Sequence, residues 1–220
     1  MATTETSVAV LAIEDAALQQ EGDRAHVRLR SELGIGSFGI MAVRQAKAGE
    51  RVIGEHDELG PGANRHEELY VVLQGSTTFT VDGEEIDAPQ GTAVFVRDPA
   101  AKRASVANED GTIVLAIGGR PGEPFKVAPF EALAELFPLY NAKDYEGSER
   151  VIEEMLAEYP GNALALYNLA CVQSLQGKGE DAIVSLREAV DAWPKFKENA
   201  AADEDFAAIK DDPRFAALVA

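Results

Sequence analysis

The stretch EHDELGPGANRHEELYVVLQG, residues 55–75, sets two of the chain's three histidines, His56 and His66, among five acidic side chains. A turn rich in glycine and proline separates this polar start from the apolar run LYVVL. The run is short, contains β-branched and aromatic residues, and is closed by Gly75, which predicts a strand rather than a helix. Imidazoles and carboxylates crowded at the entry to a strand form a candidate divalent-metal site.

Working outward, the same texture extends from about residue 37 to residue 118. FGIMAVRQA, TTFTVDG, GTAVFVRDP, RASVAN and GTIVLAIGG are strand-like segments separated by Gly, Pro, Asp and Asn. TFTVDGEEI predicts a tight hairpin, because Asp82-Gly83 can supply the two positive φ angles of a type I′ turn. Many short strands joined by close turns indicate a sandwich or barrel, not a βαβ sheet. IEDAALQQEGD, residues 13–23, is open to two readings, a short helix or an arm.

After GGRPGEPFKVAP, residues 118–129, the pattern becomes helical nearly to the end. AEYP ends at Pro160 and DAWP at Pro194, 34 residues later, and this offset pairs Ser148 with Ala182, Ile152 with Leu186 and Met155 with Ala189. A 34-residue period with small residues at helix-crossing positions resembles the tetratricopeptide repeat. Pro138 interrupts the first helix of the earlier unit, and DEDFAAIKDDPRFAALVA, residues 203–220, reads as short amphipathic helices covering the end of the stack. The fold class is therefore α+β in two domains, an all-β domain over residues 1–125 with an N-terminal arm and an all-α domain over residues 126–220. The linker near residues 118–129 and the LGPGAN loop are the expected first points of proteolysis, as exposed glycine-rich segments.

Twenty basic against 38 acidic residues give a net charge of −18, divided as 11 against 20 in residues 1–125 and 9 against 18 in residues 126–220. An acidic surface spread over both halves repels phosphate backbones and anionic lipid, so neither nucleic acid nor membrane is an expected partner. VAVLAI is too short to span a bilayer and is not flanked by Lys or Arg, and a single cysteine, Cys171, makes no internal disulfide. A cytoplasmic location is expected. Cys171 lies on a small-residue helix face and is read as packing, as are Tyr140, Tyr145, Tyr159, Tyr167 and Trp193; His26 is read as a surface or partner-strand residue.

The β half resembles the cupin family over about residues 35–118. EELYVVLQG carries the family's glutamate, six intervening residues and a glycine, as Glu68 and Gly75. AGERVIGEHDE supplies the glycine-containing turn and strand before a His-x-His position, here His56-x-Glu58, and Gly91 opens the segment that matches the second motif. The resemblance implies a jelly-roll barrel with a metal site of two histidines, a glutamate and a further histidine. This chain departs from it twice: Glu58 replaces the second histidine, and DPAAKRASVAN contains no histidine at all, offering Lys102 or Arg103 where the last ligand is expected. His66, two residues before Glu68, is the candidate replacement, with a solvent-facing ring as its alternative.

The candidate metal ligands are accordingly His56, Glu58, His66 and Glu68, with Fe, Mn, Ni, Cu or Zn as the cofactor, and the candidate ligand-binding residues are Arg103 and Tyr70. No catalytic residue is assigned. A metal-free barrel in which Arg103 turns inward and pairs with Glu68 stays open beside the metal site, since strand alternation permits either face of RASVAN to point in. The functional expectation is a barrel that binds a small molecule, a metal or an anionic ligand, with the helical repeat for packing or for docking a protein or peptide partner. The alternative is a metal-dependent enzyme of oxygenase or isomerase type. A homodimer is expected.

Overall fold

The computed structural model describes residues 8–220 apart from Asp15, Ala17, Gly22, Asp23 and Ala46. The chain divides into two compact units, one containing the residues up to Gly60 together with Asn64–Lys126, the other containing Pro61–Ala63 and Val127–Ala220.

Among the described residues the first unit holds ten strands: β1 Gln19–Glu21, β2 Arg24–Val27, β3 Gly39–Gln45, β4 Arg51–His56, β5 Glu67–Gln74, β6 Ser76–Val81, β7 Glu84–Pro89, β8 Ala93–Val96, β9 Arg103–Ala107 and β10 Thr112–Gly119. They form two antiparallel sheets, ordered β1-β2-β3-β10-β5-β8 and β4-β9-β6-β7. Strands β3 to β10 pass between the sheets in the order of a double-sheet jelly roll, with β6 and β7 forming a hairpin within the second sheet. A short helix, α1 (Leu29–Leu33), lies between β2 and β3. Of the segment open to helix or arm, Gln19–Glu21 is strand, and Asp15, Ala17, Gly22 and Asp23 lie outside the described residues.

Two backbone positions explain why the strands reverse where they do. Asp82 and Gly83 both have positive φ, 48° and 87°, which lets β6 and β7 join in a two-residue turn. Gly75, between β5 and β6, has φ +69°, and a Cβ added there would stand 2.7 Å from Thr112 Oγ1 and 3.1 Å from Thr112 Cα. Only glycine satisfies both the backbone angle and the close approach.

Alternation then fills the space between the sheets. Val43, Val114 and Val72 align across β3, β10 and β5, and Ala116, Tyr70 and Val94 form the next row. These meet Val52, Ile53, Phe79, Ala88 and Ala107 of the other sheet in one core. Tyr70 and Phe79, both fully buried, pack with ring centroids 5.3 Å apart. A side chain of that size contributes about 1.5–3 kcal/mol on burial, so the core is set largely by these inward positions. On the outer face, Leu11, Ile13 and Leu29 pack with Val27, Ala42 and Leu115.

The second unit is helical: α2 Pro129–Ala132, a 3-10 turn at Leu133–Glu135, α3 Leu136–Asn141, α4 Tyr145–Glu158, α5 Ala163–Leu175, α6 Gly179–Ala192, α7 Phe196–Ala202, a second 3-10 segment at Glu204–Ile209, and α8 Pro213–Val219. The breaks ahead of Pro138 fit a residue that lacks the amide hydrogen an uninterrupted helix needs. Helices α4 and α6 begin and end 34 residues apart, and Ser148, Ile152 and Met155 are buried in the one as Ala182, Leu186 and Ala189 are in the other. Asp144 caps α4 by accepting the Gly147 amide, and Asn162 caps α5 by accepting that of Ala165. Tyr167 stacks on Phe196 at 4.6 Å beside the buried Phe206 and Phe215. Among the described residues no helix is long and apolar enough to cross a membrane.

The LGPGAN loop is not the free tip its glycines suggest. Pro61–Ala63 are half-buried parts of the helical unit; the Pro61 carbonyl accepts from Asn162 Nδ2 at 2.8 Å, and the Gly62 carbonyl accepts the Phe130 amide at 3.0 Å. The peptide oxygens of such a loop need partners when they leave water, and here they have them.

Candidate metal centre

The site is built by neighbouring strand ends. His56 closes β4 directly opposite Arg103, which opens β9. Glu68 lies on β5 of the other sheet, two residues before Tyr70 and on the same inward face. Glu58 follows β4 in a turn held by its own amide, which donates to the Pro99 carbonyl at 2.8 Å. His56, Glu58 and Glu68 each bring a ligand atom within 4.8 Å of the others. His56 Nε2 is 3.4 Å from Glu68 Oε2 and 3.9 Å from Glu58 Oε1.

The His66 ring is not part of that group among the described residues. It is buried, 5.7 Å from the Phe125 ring, and fills the space a Cβ on Gly118 would take, with Nδ1 3.2 Å from that point. What His66 brings to the site is its backbone: its amide donates to Glu58 Oε2 at 3.3 Å, alongside the Asn64 amide at 3.4 Å, while the Arg65 amide donates to the Glu58 carbonyl at 3.0 Å. Arg65 has φ +56°. A left-handed residue between two others turns successive amides toward one point and makes an anion-binding concavity. Glu58 is thus held by Oε2, and Oε1 is left facing His56.

Arg103 points inward with Ser105 and Ala107; all three are essentially inaccessible to solvent, while Lys102 and Val106 are exposed. Its Nε stands 3.3 Å from Glu68 Oε2, an ionic contact without hydrogen-bond alignment, and its terminal nitrogens donate to the Asp98 and Pro99 carbonyls, each at 3.4 Å. Glu68 Oε2 also accepts the Tyr70 hydroxyl at 2.6 Å. One carboxylate oxygen therefore gathers a tyrosine, a histidine and an arginine.

Proton affinities follow from these contacts. Burial favours neutral Glu68, but hydrogen bonds from His56 and Tyr70 and the Arg103 charge outweigh it and hold Glu68 below the usual carboxylate range. Burial and the Glu68 charge raise Glu58, and the His66 and Asn64 amides offset this only in part. Burial works against a charged His56, yet the Glu68 hydrogen bond and the Gly54 carbonyl win, so its pKa is raised. Tyr70 is pushed well above its ordinary value by burial and by Glu68.

The His56 tautomer carries the chemical sense of the site. Nδ1 is 2.7 Å from the Gly54 carbonyl oxygen, which can only accept, so Nδ1 carries a hydrogen. Neutral His56 then presents a lone pair at Nε2 toward two carboxylates. Three acceptors facing one another need a cation among them, a proton on Nε2 or a metal ion. One imidazole nitrogen with two carboxylate oxygens is a donor set that fits Mn(II), Fe(II) or Zn(II).

A second group, Cys171, Asp203 and Asp205 of the helical unit, is also close enough to share an ion. Its oxygens are already engaged: Asp203 accepts from Tyr167 at 2.8 Å and from the Asp205 amide at 3.0 Å, and Asp205 accepts from Tyr140 at 2.6 Å. Burial and the two aspartates push the Cys171 thiol well above its ordinary pKa, which favours the neutral thiol in the metal-free protein. This cluster ties α5 to the segment after α7.

No protein-family model and no curated protein matches the chain. Among solved structures, about half of the chain is similar to cupin proteins. A cupin protein from Bacteroides fragilis is 22% identical, with 56% of this chain and 92% of that one covered and a TM-score of 0.40. A sugar phosphate isomerase of the cupin superfamily from Silicibacter pomeroyi is 17% identical over 51% of this chain and 76% of that one, with a TM-score of 0.42. A Cupin 2 conserved barrel domain protein from Salinispora arenicola is 15% identical over 53% and 92%, again with a TM-score of 0.42. Likenesses this distant say nothing about which ligand the site takes.

Proposed function

We propose that the jelly-roll unit binds one divalent metal ion between His56, Glu58 and Glu68 and offers it to a small oxygen-rich anion. The observation that carries this reading is the His56 tautomer, fixed by the Gly54 carbonyl so that the Nε2 lone pair faces two carboxylates. The charges agree: two carboxylates and the Arg103 guanidinium leave one negative charge, and a divalent ion turns it into one positive charge. That balance favours an anionic ligand. A metal held there would act as a Lewis acid toward a bound oxygen. In this reading Glu58 is oriented by the 64 and 66 amides, Glu68 by Tyr70 and Arg103, and His56 by Gly54, the supporting contacts that metal ligands ordinarily need.

A second reading is favoured by Arg103 itself. Fully buried and 3.3 Å from Glu68, it supplies a fixed cation without any metal. A proton on His56 then completes the site, and the barrel holds a small acid without turning it over. For the helical unit, the 34-residue offset of α4 and α6 supports a tetratricopeptide-like repeat suited to a protein or peptide partner.

Elemental analysis of purified, untagged protein decides between the two site readings. The metal reading expects close to one Mn, Fe or Zn per chain, lost in His56→Ala because two remaining ligands hold a labile ion poorly. No stoichiometric metal, even after reconstitution with each of these ions, overturns it in favour of the Arg103–Glu68 barrel.

A further inference from the structure

We infer that His66 is a positioning residue for the metal centre, its ring seated on a pair of strand glycines so that its amide is aimed at Glu58. This rests on the metal reading of His56, Glu58 and Glu68, and all the residues concerned lie in the β unit. Gly39, Gly118 and Glu68 stand directly across from one another on β3, β10 and β5. Residues paired in this way carry their side chains on one face, so the row that contains Glu68 has two positions beside it with no side chain of their own. Two rings cover them. A Cβ on Gly118 would lie 3.2 Å from His66 Nδ1 and 3.4 Å from His66 Cβ, and a Cβ on Gly39 would lie 3.4 Å from Phe125 Cε2 and 3.5 Å from its Cζ. The rings are 5.7 Å apart and tilted by 32°. Glycine inside a strand weakens it and often marks a place that another group approaches closely; here the approaching group is the buried imidazole.

His66 directly precedes β5, so the seat of its ring and the start of the strand together place its backbone. That backbone presents one of the two amides on Glu58 Oε2, at 3.3 Å, beside the Asn64 amide at 3.4 Å. Both bonds are at the long end of the normal range, and bonds of that length are sensitive to small shifts of the chain that offers them. Between the two amides Arg65 is left-handed, φ +56°, a conformation that persists only while its surroundings enforce it. The seated ring supplies that enforcement on the C-terminal side. Without it the Asn64–His66 backbone relaxes, the two amides part, and Glu58 turns away from His56. What the site uses is the volume of the ring over Gly118, and a ring without a ligating nitrogen serves as well.

The full-length protein, titrated with Co(II) and followed by its visible absorption, separates this role from metal ligation. His66→Ala should bind about 3–10-fold more weakly than wild type, at or below the low end of the range for outer-sphere partners of metal ligands. His66→Phe keeps a ring on the glycine seat and should restore both the affinity and the wild-type Co(II) spectrum. Gly118→Ala leaves His66 in the chain but crowds its ring, and should weaken binding in the same direction as His66→Ala. In metal-free protein, hydrogen exchange should show the Asn64 and His66 amides less protected in His66→Ala and Gly118→Ala, and protected again in His66→Phe. Wild-type affinity in both His66→Ala and Gly118→Ala overturns the inference and leaves the metal reading intact. So does a His66→Phe protein with an altered spectrum and a loss as large as that of His56→Ala, which would make the imidazole itself a ligand. A wild-type protein that binds no Co(II) overturns both.

Discussion

Replacing Arg103 by alanine tests the centre of the site most directly. The side chain is wholly buried and shares its charge with Glu68, itself largely buried. Removing one member of a buried pair costs about 3–5 kcal/mol, chiefly because the other charge is left without compensation. Here Glu68 keeps the Tyr70 hydroxyl and His56, which places the electrostatic loss toward the lower end. The lost packing of the arginine stem, and the loss of its bonds to the Asp98 and Pro99 carbonyls, which keep the Ala101 and Glu58 amides as donors, bring it back up. A total of about 3 kcal/mol is expected for the metal-free protein, equivalent to a urea midpoint lower by about 1–3 M at ordinary m-values. Hydrogen exchange at the β9 and β10 amides as urea rises should follow this unfolding, since Trp193, the one tryptophan, sits in the helical unit and reports there. Arg103→Met combined with Glu68→Gln should regain most of the loss, because no stranded charge remains. A single-variant change below about 0.5 kcal/mol, the size expected of an ordinary surface arginine, would refute the buried-pair account and remove Arg103 from the site.

Four further outcomes follow from the same contacts. Because the folded pKa of His56 is raised above 6.5, its contribution to the stability of metal-free protein is fully present below about pH 6.5 and lost as pH rises through the folded value; urea midpoints should show this decline, and His56→Gln should abolish it. Gly75→Ala should cost more than about 2 kcal/mol in thermal or urea unfolding, from about 1–2 kcal/mol of left-handed strain plus the approach to Thr112. Ser105→Ala should be neutral or stabilising by up to about 1 kcal/mol, since its buried hydroxyl makes no hydrogen bond among the described residues; a marked loss would mean that the hydroxyl has a partner. Limited proteolysis should cut first within residues 119–128 and spare Pro61–Ala63, whose carbonyls are engaged, and early cleavage at Gly62 would contradict the anchored loop.

The β half was legible because its signals are local. Asp82-Gly83 specifies its turn by backbone preference, and LYVVL declares a strand by composition. The reading ran out where a position depends on register between distant strands. RASVAN alternates a charged or small residue on both faces, so nothing within it chooses which face is inward; the choice is made by the pairing of Arg103 with His56 across β4 and β9. His66 shows a different limit. Sequence logic weighs side chains, and an imidazole near Glu68 reads as a ligand, yet in the structure it is the amide nitrogen that faces Glu58, beside the left-handed Arg65 that no residue type announces. Pro61 and Gly62 fail for the same reason, since their contacts run through carbonyl oxygens that every loop possesses. The small-residue spacing of α4 and α6, by contrast, is a side-chain signal and is visible in the sequence.

The arginine also explains why the departure from three histidines need not empty the site. A third imidazole would add a neutral donor and leave both carboxylates to balance the metal alone. Arg103 instead lowers the negative charge by one and fixes Glu68 through a single oxygen, Oε2. The cost is weaker metal binding, since a guanidinium beside Glu68 repels any divalent ion. In the metal reading, the gain would be a centre with net positive charge, matched to an anion rather than to a neutral ligand. Arg103→Met should therefore bind Co(II) more tightly than wild type, while the bound metal takes up a small carboxylate such as acetate less readily. Both effects follow from deleting one charge at fixed ligands, and both are read by visible absorption in the same titration. Tighter metal binding together with unchanged acetate affinity would show that the arginine only restrains the metal. Weaker metal binding would show that its role is to hold Glu68 in place.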